Sequence, residues 1–129
     1  MKRLVATLAA LVTLGAAGAM ASVVVRDLLE FAPDVAITAA DRRPVDFADP
    51  RVRSAAVDVR DEATTARLIE GHDAVANCVT YYFNVPVMRA ALAARVPYTD
   101  LGGLYHGSRK QFELDEAMMP VMADRASSP

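Results

Sequence analysis

"MKRLVATLAALVTLGAAGAMAS" (residues 1–22) opens the chain and supports two incompatible readings. Lys2 and Arg3, an apolar run and then Ala19-Met20-Ala21 have the layout of a cleavable export signal. The same letters have the layout of a buried β-strand that runs into a turn of small residues and opens a helix. On the first reading residues 1–21 are discarded after synthesis. On the second they form the centre of the domain, and the rest of the sequence has to decide between them.

Beyond that stretch, short apolar runs alternate with helical patterns. "LAALVTL" (8–14) is continuously apolar and ends at Gly15. In "SVVVRDLLEFAP" (22–33), Val25, Leu28, Leu29 and Ala32 recur at helical spacing and Pro33 marks a stop. "VAITAAD" (35–41) and "VRSAAVD" (52–58) read as buried strands, and "DAVANCV" (73–79) as a third interior run. "RDEATTARLIEG" (60–71) predicts a helix capped by Asp61 and ended by Gly71. "NVPVMRAALAA" (84–94) predicts another, with Asn84 as cap and Pro86 in its first turn. "VPYTDL" (96–101) is a short strand, and "SRKQFELDEAM" (108–118) opens with the capping pair Ser108 and Gln111.

Strands alternating with helices predict an α/β domain with a doubly wound parallel sheet, layered α/β/α, whose apolar strands are buried on both faces. That arrangement needs the first apolar run as a strand. An export signal followed by an unrelated domain does not.

Composition sets outer limits. A chain of 129 residues is enough for one domain with a real core. A net charge of -2 gives no electrostatic reason to expect nucleic acid or an anionic membrane as partner. Arg42, Arg43, Arg51 and Arg53 alternate with Asp41, Asp46 and Asp49, which predicts a solvated loop. Cys78 is the only cysteine, so no disulfide forms within the chain. That leans towards a reducing, cytoplasmic compartment, with export as the alternative. Leu4 to Leu14 falls short of the ~20 residues of a membrane-spanning helix.

The turn itself reads Gly15-Ala16-Ala17-Gly18-Ala19-Met20-Ala21, a GxxGxxA pattern. Small residues there let a pyrophosphate approach the backbone and take hydrogen bonds at a helix N-terminus, where the dipole also favours anions. Asp41 lies 20 residues beyond Ala21 at the end of the second strand, where a carboxylate can accept from a ribose 2′-hydroxyl. Asp41 points to NAD, while Arg42 directly after it can pair with the 2′-phosphate of NADP, so both cofactors stay open. Asp58 and Val59 either border the adenine or simply end a strand.

From Gly15 onward the chain resembles the nucleotide-binding domain of the saccharopine dehydrogenase-like oxidoreductases. The resemblance is carried by "GAAGAMA", "VVVRDLLEFAPDVAITAADR", "VDVRD" (57–61), "GHDAVANCVTYYFNVPVMRAALAARVPYTDLGG" (71–103) and "ELDEA" (113–117). It implies a Rossmann-like domain over residues 1–129 that binds NAD or NADP. It also implies a separate, mainly C-terminal substrate and dimerisation domain, and hence a homodimer in a full-length form. The reaction implied moves a hydride between nicotinamide and an amino-acid-derived imine or secondary amine. Carried over by position, Gly15, Ala16, Ala17, Gly18, Ala19 and Met20 hold the pyrophosphate. Asp41 and Arg42 read the ribose, and Asp58 and Val59 the adenine side. Asn77, Cys78, Val79, Thr80 and Tyr81 form the loop near the nicotinamide ribose.

Three departures qualify the match. The first apolar run is longer than the family's, "MMPVMADRASSP" (118–129) lacks the apolar strand expected there, and the chain stops at Pro129. The fold is therefore expected to be incomplete at its C-terminus and to lack its catalytic domain, so that the isolated chain turns nothing over. The alternative is a non-catalytic or degenerate NAD(P)-binding module.

Among reactive side chains, Cys78 ends an apolar strand with no base at hand and is expected as a small buried residue. His72 is expected as a solvated loop residue. His106, in "GGLYHGS" (102–108), lies at the carboxyl end of the fifth strand, where a loop residue or a proton-transfer group would sit. Tyr81, Tyr82 and Tyr105 either line a substrate pocket or pack on the sheet. His72, His106, Cys78 and Asp100 show no metal-ligand spacing.

Overall fold

A computed structural model describes residues 9–103 and 105–127. Its elements are β1 (Ala9–Leu14), α1 (Ala19–Phe31), β2 (Val35–Asp41), β3 (Val52–Ala56), α2 (Glu62–Ile69), β4 (Ala74–Asn77), α3 (Asn84–Ala94), β5 (Tyr98–Asp100) and α4 (Tyr105–Ala126), with a 3-10 turn at Tyr81–Phe83. The strands form one parallel sheet in the order β3-β2-β1-β4-β5. The sheet is doubly wound: the chain moves outward through β2 and β3, returns, and moves outward again through β4 and β5.

The opening stretch thus holds the central strand. Leu11 to Leu14 pair on one side with Ile37 to Ala40 and on the other with Ala74 to Asn77. Lys2, Arg3 and the run from Leu4 to Leu8 lie outside the described residues.

Alternation along the strands sorts their side chains onto two cores. Val12, Leu14 and Val75 face α2, α3 and α4, where they pack with Ile69, Val87, Val96, Met118 and Val121. Ile37 and Ala39 face α1 and pack with Val25. Each fully buried Val, Leu or Ile contributes about 1.5–3 kcal/mol over leaving it in water. On the α1 face, the Thr13 hydroxyl is fully buried and is the single unpartnered buried side-chain atom among the described residues.

Several boundaries differ from the sequence reading, each for a local reason. The third strand ends at Ala56 rather than Asp58, because the Asp58 carboxylate accepts from the Arg60 amide at 3.0 Å and starts a turn. The fourth ends at Asn77, whose Oδ1 accepts from the Val79 amide at 3.1 Å and bends the chain. Asn84 is not a cap: Phe83 takes that position, and the Asn84 side chain is buried in the first turn of α3. α4 begins at Tyr105, three residues before Ser108, and continues through Pro120 to Ala126. No Ser108–Gln111 capping box starts it, because Gln111 donates to Asp100 instead, at 2.6 Å.

Two side chains expected in solvent are structural. His72 is only 9% exposed. Its Nδ1 faces the Ile69 carbonyl at 3.1 Å and so carries the proton, leaving Nε2 to accept from the Thr38 hydroxyl at 2.8 Å. Arg51 is half-buried and donates to the Leu29 carbonyl at 2.8 Å, tying the loop before β3 to the end of α1.

Candidate functional site

After Leu14 the chain turns on Gly15, whose φ is +83°. A Cβ at this position would stand 3.1 Å from the carbonyl carbon and oxygen of Cys78 and from the amide of Val79. Glycine therefore lets the carboxyl end of β1 lie directly against the exit of β4, where the two winding directions of the sheet diverge and ligands bind in such folds. The amides of Gly15 and Ala16 both donate to the Ala40 carbonyl, at 2.9 and 3.1 Å. The Ala17 amide donates to Asp41 Oδ2 at 3.1 Å, so the turn and the end of β2 hold one another.

Gly18 is the N-cap of α1, and the first intrahelical bond runs from Ser22 N to Gly18 O at 3.1 Å. The amides of Ala19, Met20 and Ala21 consequently have no acceptor within the helix. The first turn carries no acidic residue, so its positive end is not neutralised.

A cavity of about 360 Å³ opens over these ends. Gly15 and Gly18 form one wall, Asp41 and Arg42 a second, and Asp58 and Val59 a third, closed by Cys78, Val79 and Thr80. All nine were singled out by the sequence. The Asp58 carboxylate is gripped by Arg60, with Nε at 3.0 Å and Nη2 at 2.6 Å from its two oxygens. These hydrogen bonds, helped by the nearby Arg42 charge, hold its pKa down at about 2. Burial pushes the Cys78 thiol up, which makes it a wall of the cavity and a poor nucleophile.

The residues fit a dinucleotide. Unneutralised amides at a helix start suit a pyrophosphate, a carboxylate at the end of β2 suits a ribose, and apolar Val57 and Val59 suit a base. The profile of a family described as "Saccharopine dehydrogenase NADP binding domain" matches residues 11–126. The chain belongs to that family.

Solved structures agree on the fold. Saccharopine dehydrogenase (L-Glu forming) from Saccharomyces cerevisiae aligns with a TM-score of 0.70 at 20% identity, over 88% of this chain and 25% of that one. A Rossmann-fold NAD(P)-binding family protein from Shigella flexneri aligns at 0.67 and 21% identity, over 86% and 62%. Uronate dehydrogenase from Agrobacterium tumefaciens, in a complex with NAD, aligns at 0.59 and 20%, over 71% and 40%. This chain thus spans less than two thirds of each. It is an NAD(P)-binding domain of the saccharopine dehydrogenase-like family, with NAD or NADP as cofactor.

Within this NADP-binding domain, six residues singled out by sequence do not line the cavity. Ala16 is 1% exposed and packs into the α1 core. Ala17, Ala19 and Met20 lie around the helix start, with the Met20 side chain in solvent. Tyr81 turns to the other flank of the 3-10 turn, and Asn77 is buried. Conversely, Ala40, Val57, Arg60 and Phe83 line the cavity and were missed. Arg60 had one available signal, its place two residues after Asp58.

Asn77 acts from beneath the site. Its Nδ2 donates to Asn84 Oδ1 and to the Tyr98 hydroxyl, both at 3.2 Å, while its Oδ1 holds the Val79 amide. Tyr98 donates in turn to Asp100 Oδ2 at 2.5 Å, and Asp100 also accepts from Gln111 and from the Gly102 amide. Burial, together with this donation to Asp100, pushes the Tyr98 hydroxyl well above the usual phenol range. The loop of residues 78–80 is thereby fastened to α3, β5 and α4.

A second cavity of about 550 Å³ lies on the far flank of the 3-10 turn, between Tyr81, Tyr82 and Arg89 on one side and His106 and Lys110 on the other. The two tyrosine rings lie 4.4 Å apart, and a Cβ on Gly103 would collide with Tyr81 Cβ, so glycine is what lets the chain pass this close to Tyr81. Tyr105 is not part of it; it projects from α4, edge-on to the His106 ring.

Proposed function

We propose that this chain is the cofactor-holding part of an NADP-preferring oxidoreductase acting on an amino-acid-derived imine or secondary amine. The reading rests on one observation: the cavity between Gly15, Asp41 and Thr80 carries two arginines, Arg42 and Arg60, beside the position suited to the ribose. Backbone amides from Ala19 to Ala21 take the pyrophosphate, and Asp41 takes a ribose hydroxyl. Arg42 takes the 2′-phosphate, while Arg60 neutralises Asp58, which would otherwise repel it. Cys78, Val79 and Thr80 border the nicotinamide ribose. A bound nicotinamide supplies the hydride chemistry, and the tyrosine-walled second cavity lies where substrate would approach. Turnover requires a substrate-binding domain, which also supplies the dimer contact in a full-length form, and the 129-residue chain alone binds cofactor without turnover.

Titration with NADPH and NADH tests this directly. Arg42→Ala is expected to weaken NADPH about tenfold, equivalent to about 1.4 kcal/mol, and to leave NADH unchanged. An equal loss for both refutes the phosphate role; no binding of either by the unaltered chain refutes the function. We also propose that the protein stays in the cytoplasm with β1 in place, because removal of residues 1–21 would strip the sheet of its central strand. The intact mass of protein made in a secretion-competent host checks this, and a chain beginning at Ser22 overturns it.

A further inference from the structure

α4 carries apolar side chains on two opposite sides. One side packs on the domain through the buried Met118 and Val121. On the other, Tyr105, Phe112 and Met119 are 70%, 74% and 64% exposed, among the most exposed large apolar residues of the domain. They recur every seven residues. At 3.6 residues per turn, seven residues fall short of two turns by only ~20°, so the three form one line ~21 Å long.

The polar residues beside this line are ordered. On a helical projection Arg109 and Glu116 flank it on one side, Ser108 and Asp115 on the other. Consider a two-fold axis crossing the line at Phe112, perpendicular to the helix. It makes a second α4 antiparallel and brings each residue before Phe112 opposite the residue equally far after it, on the same flank. Phe112 then meets its own copy and Tyr105 meets Met119. Arg109 faces Glu116 within one residue's rise, ~1.5 Å, and Ser108 faces Asp115 in the same way. A parallel pairing exchanges the flanks and sets Arg109 opposite Ser108, so that Arg109 and Glu116 do not meet. Arg109, Asp115 and Glu116 are exposed and Ser108 is half-buried, and neither Arg109 nor Glu116 has an ion pair among the described residues.

We propose that this face of α4 is a self-association surface on which two copies of the chain pair antiparallel, Phe112 against Phe112 and Arg109 against Glu116. A symmetric, self-complementary patch of this kind is what an isologous contact requires. Three apolar residues per copy make a small interface, so the dimer is weak, with dissociation in the range of tens of micromolar, on the order of 10⁻⁵ M.

Sedimentation of the full 129-residue chain across a concentration series that brackets this range tests the proposal, with far-UV circular dichroism as a check on folding. The unaltered chain is expected to dimerise reversibly, and Phe112→Glu to remain monomeric. Arg109→Glu and Glu116→Arg each create two like-charge contacts and are expected to weaken association about tenfold. Mixing these two variants pairs opposite charges at both contacts, so a heterodimer forms. Should Phe112→Glu fail to fold, the charge pair carries the test alone, since both of its sites are on the surface. A chain that stays monomeric throughout, or charge variants that associate no better mixed than alone, overturns the proposal.

Discussion

The carboxyl ends of β1 and β4 meet across one cavity, yet they are built by opposite means. The turn after β1 is held mainly through its own backbone amides: those of Gly15 and Ala16 donate to the Ala40 carbonyl, that of Ala17 to the Asp41 carboxylate, and the turn itself contributes no side chain larger than methyl. The loop after β4 is held by side chains. Asn77, Asn84, Tyr98, Asp100 and Gln111, drawn from four elements, form a half-buried network beneath it. A ligand reached through amides needs a wall that stays out of the way. A loop that must stand still with little secondary structure of its own needs buried polar partners instead, and these are costly when one is removed.

The largest expected effect separates a glycine that needs only its backbone angle from one that also needs room. Gly15 and Gly71 have nearly the same φ, +83° and +81°, but only Gly15 has backbone within reach of a Cβ. Gly15→Ala is expected to cost about 2–4 kcal/mol in urea unfolding and to abolish NADPH binding, and Gly71→Ala about 1–2 kcal/mol from the left-handed angle alone. Equal losses would mean that the contact with Cys78 and Val79 constrains nothing.

On the opposite side, Asn84→Ala removes one of the two acceptors of Asn77 Nδ2 and leaves the Gly102 carbonyl, now accepting from Asn84 at 3.2 Å, without that donor. A loss of about 2–3 kcal/mol is expected, with weaker cofactor binding as the loop of residues 78–80 loosens. If stability falls and binding does not, the network supports the fold and not the site.

Thr13 sharpens the contrast from within β1, where the backbone-built side carries its one polar misfit. Because the buried hydroxyl has no partner among the described residues, Thr13→Val is expected to stabilise the domain by about 1 kcal/mol in the same unfolding assay. A loss would mean that the hydroxyl has a partner after all, such as a bound water.

The smallest effect concerns the cavity rim. Asp58 is held at about 2 by Arg60, below its ordinary 3.8. The folded state therefore prefers the carboxylate, and this preference is present above about pH 4 and fades as the pH falls from 3.8 towards 2. Arg60→Ala is expected to move the Asp58 midpoint back towards 3.8, observable by carboxyl-resolved NMR titration, with only a slight change in stability because the pair is in solvent. An unmoved midpoint would remove the basis for assigning Arg60 the task of neutralising Asp58.

The same division runs through what could be read in advance. All five strands and four helices were legible from apolar runs and helical spacing, and nine residues of the cavity from the GxxGxxA turn, Asp41 and the positions carried over from the family. Features needing only local chemistry, such as Asp61 capping α2 through the Thr64 amide at 3.1 Å, matched too. The failures were polar residues whose partners are distant in sequence. His72 bonds Thr38 from 34 residues away. Asn84 has the form of a cap and is drawn instead into contact with Asn77 and Gly102. Gln111 leaves its capping box for Asp100.

The order of elements, the burial of the strands and the small-residue turn were thus determined by the sequence itself, because periodicity and side-chain volume act between near neighbours. Which cavity wall each loop residue joins, which polar groups are buried and where α4 begins were decided by the tertiary structure. A hydrogen bond to a distant strand or helix satisfies a buried polar group that no local partner can reach, and the need to satisfy that group outweighs the local preference.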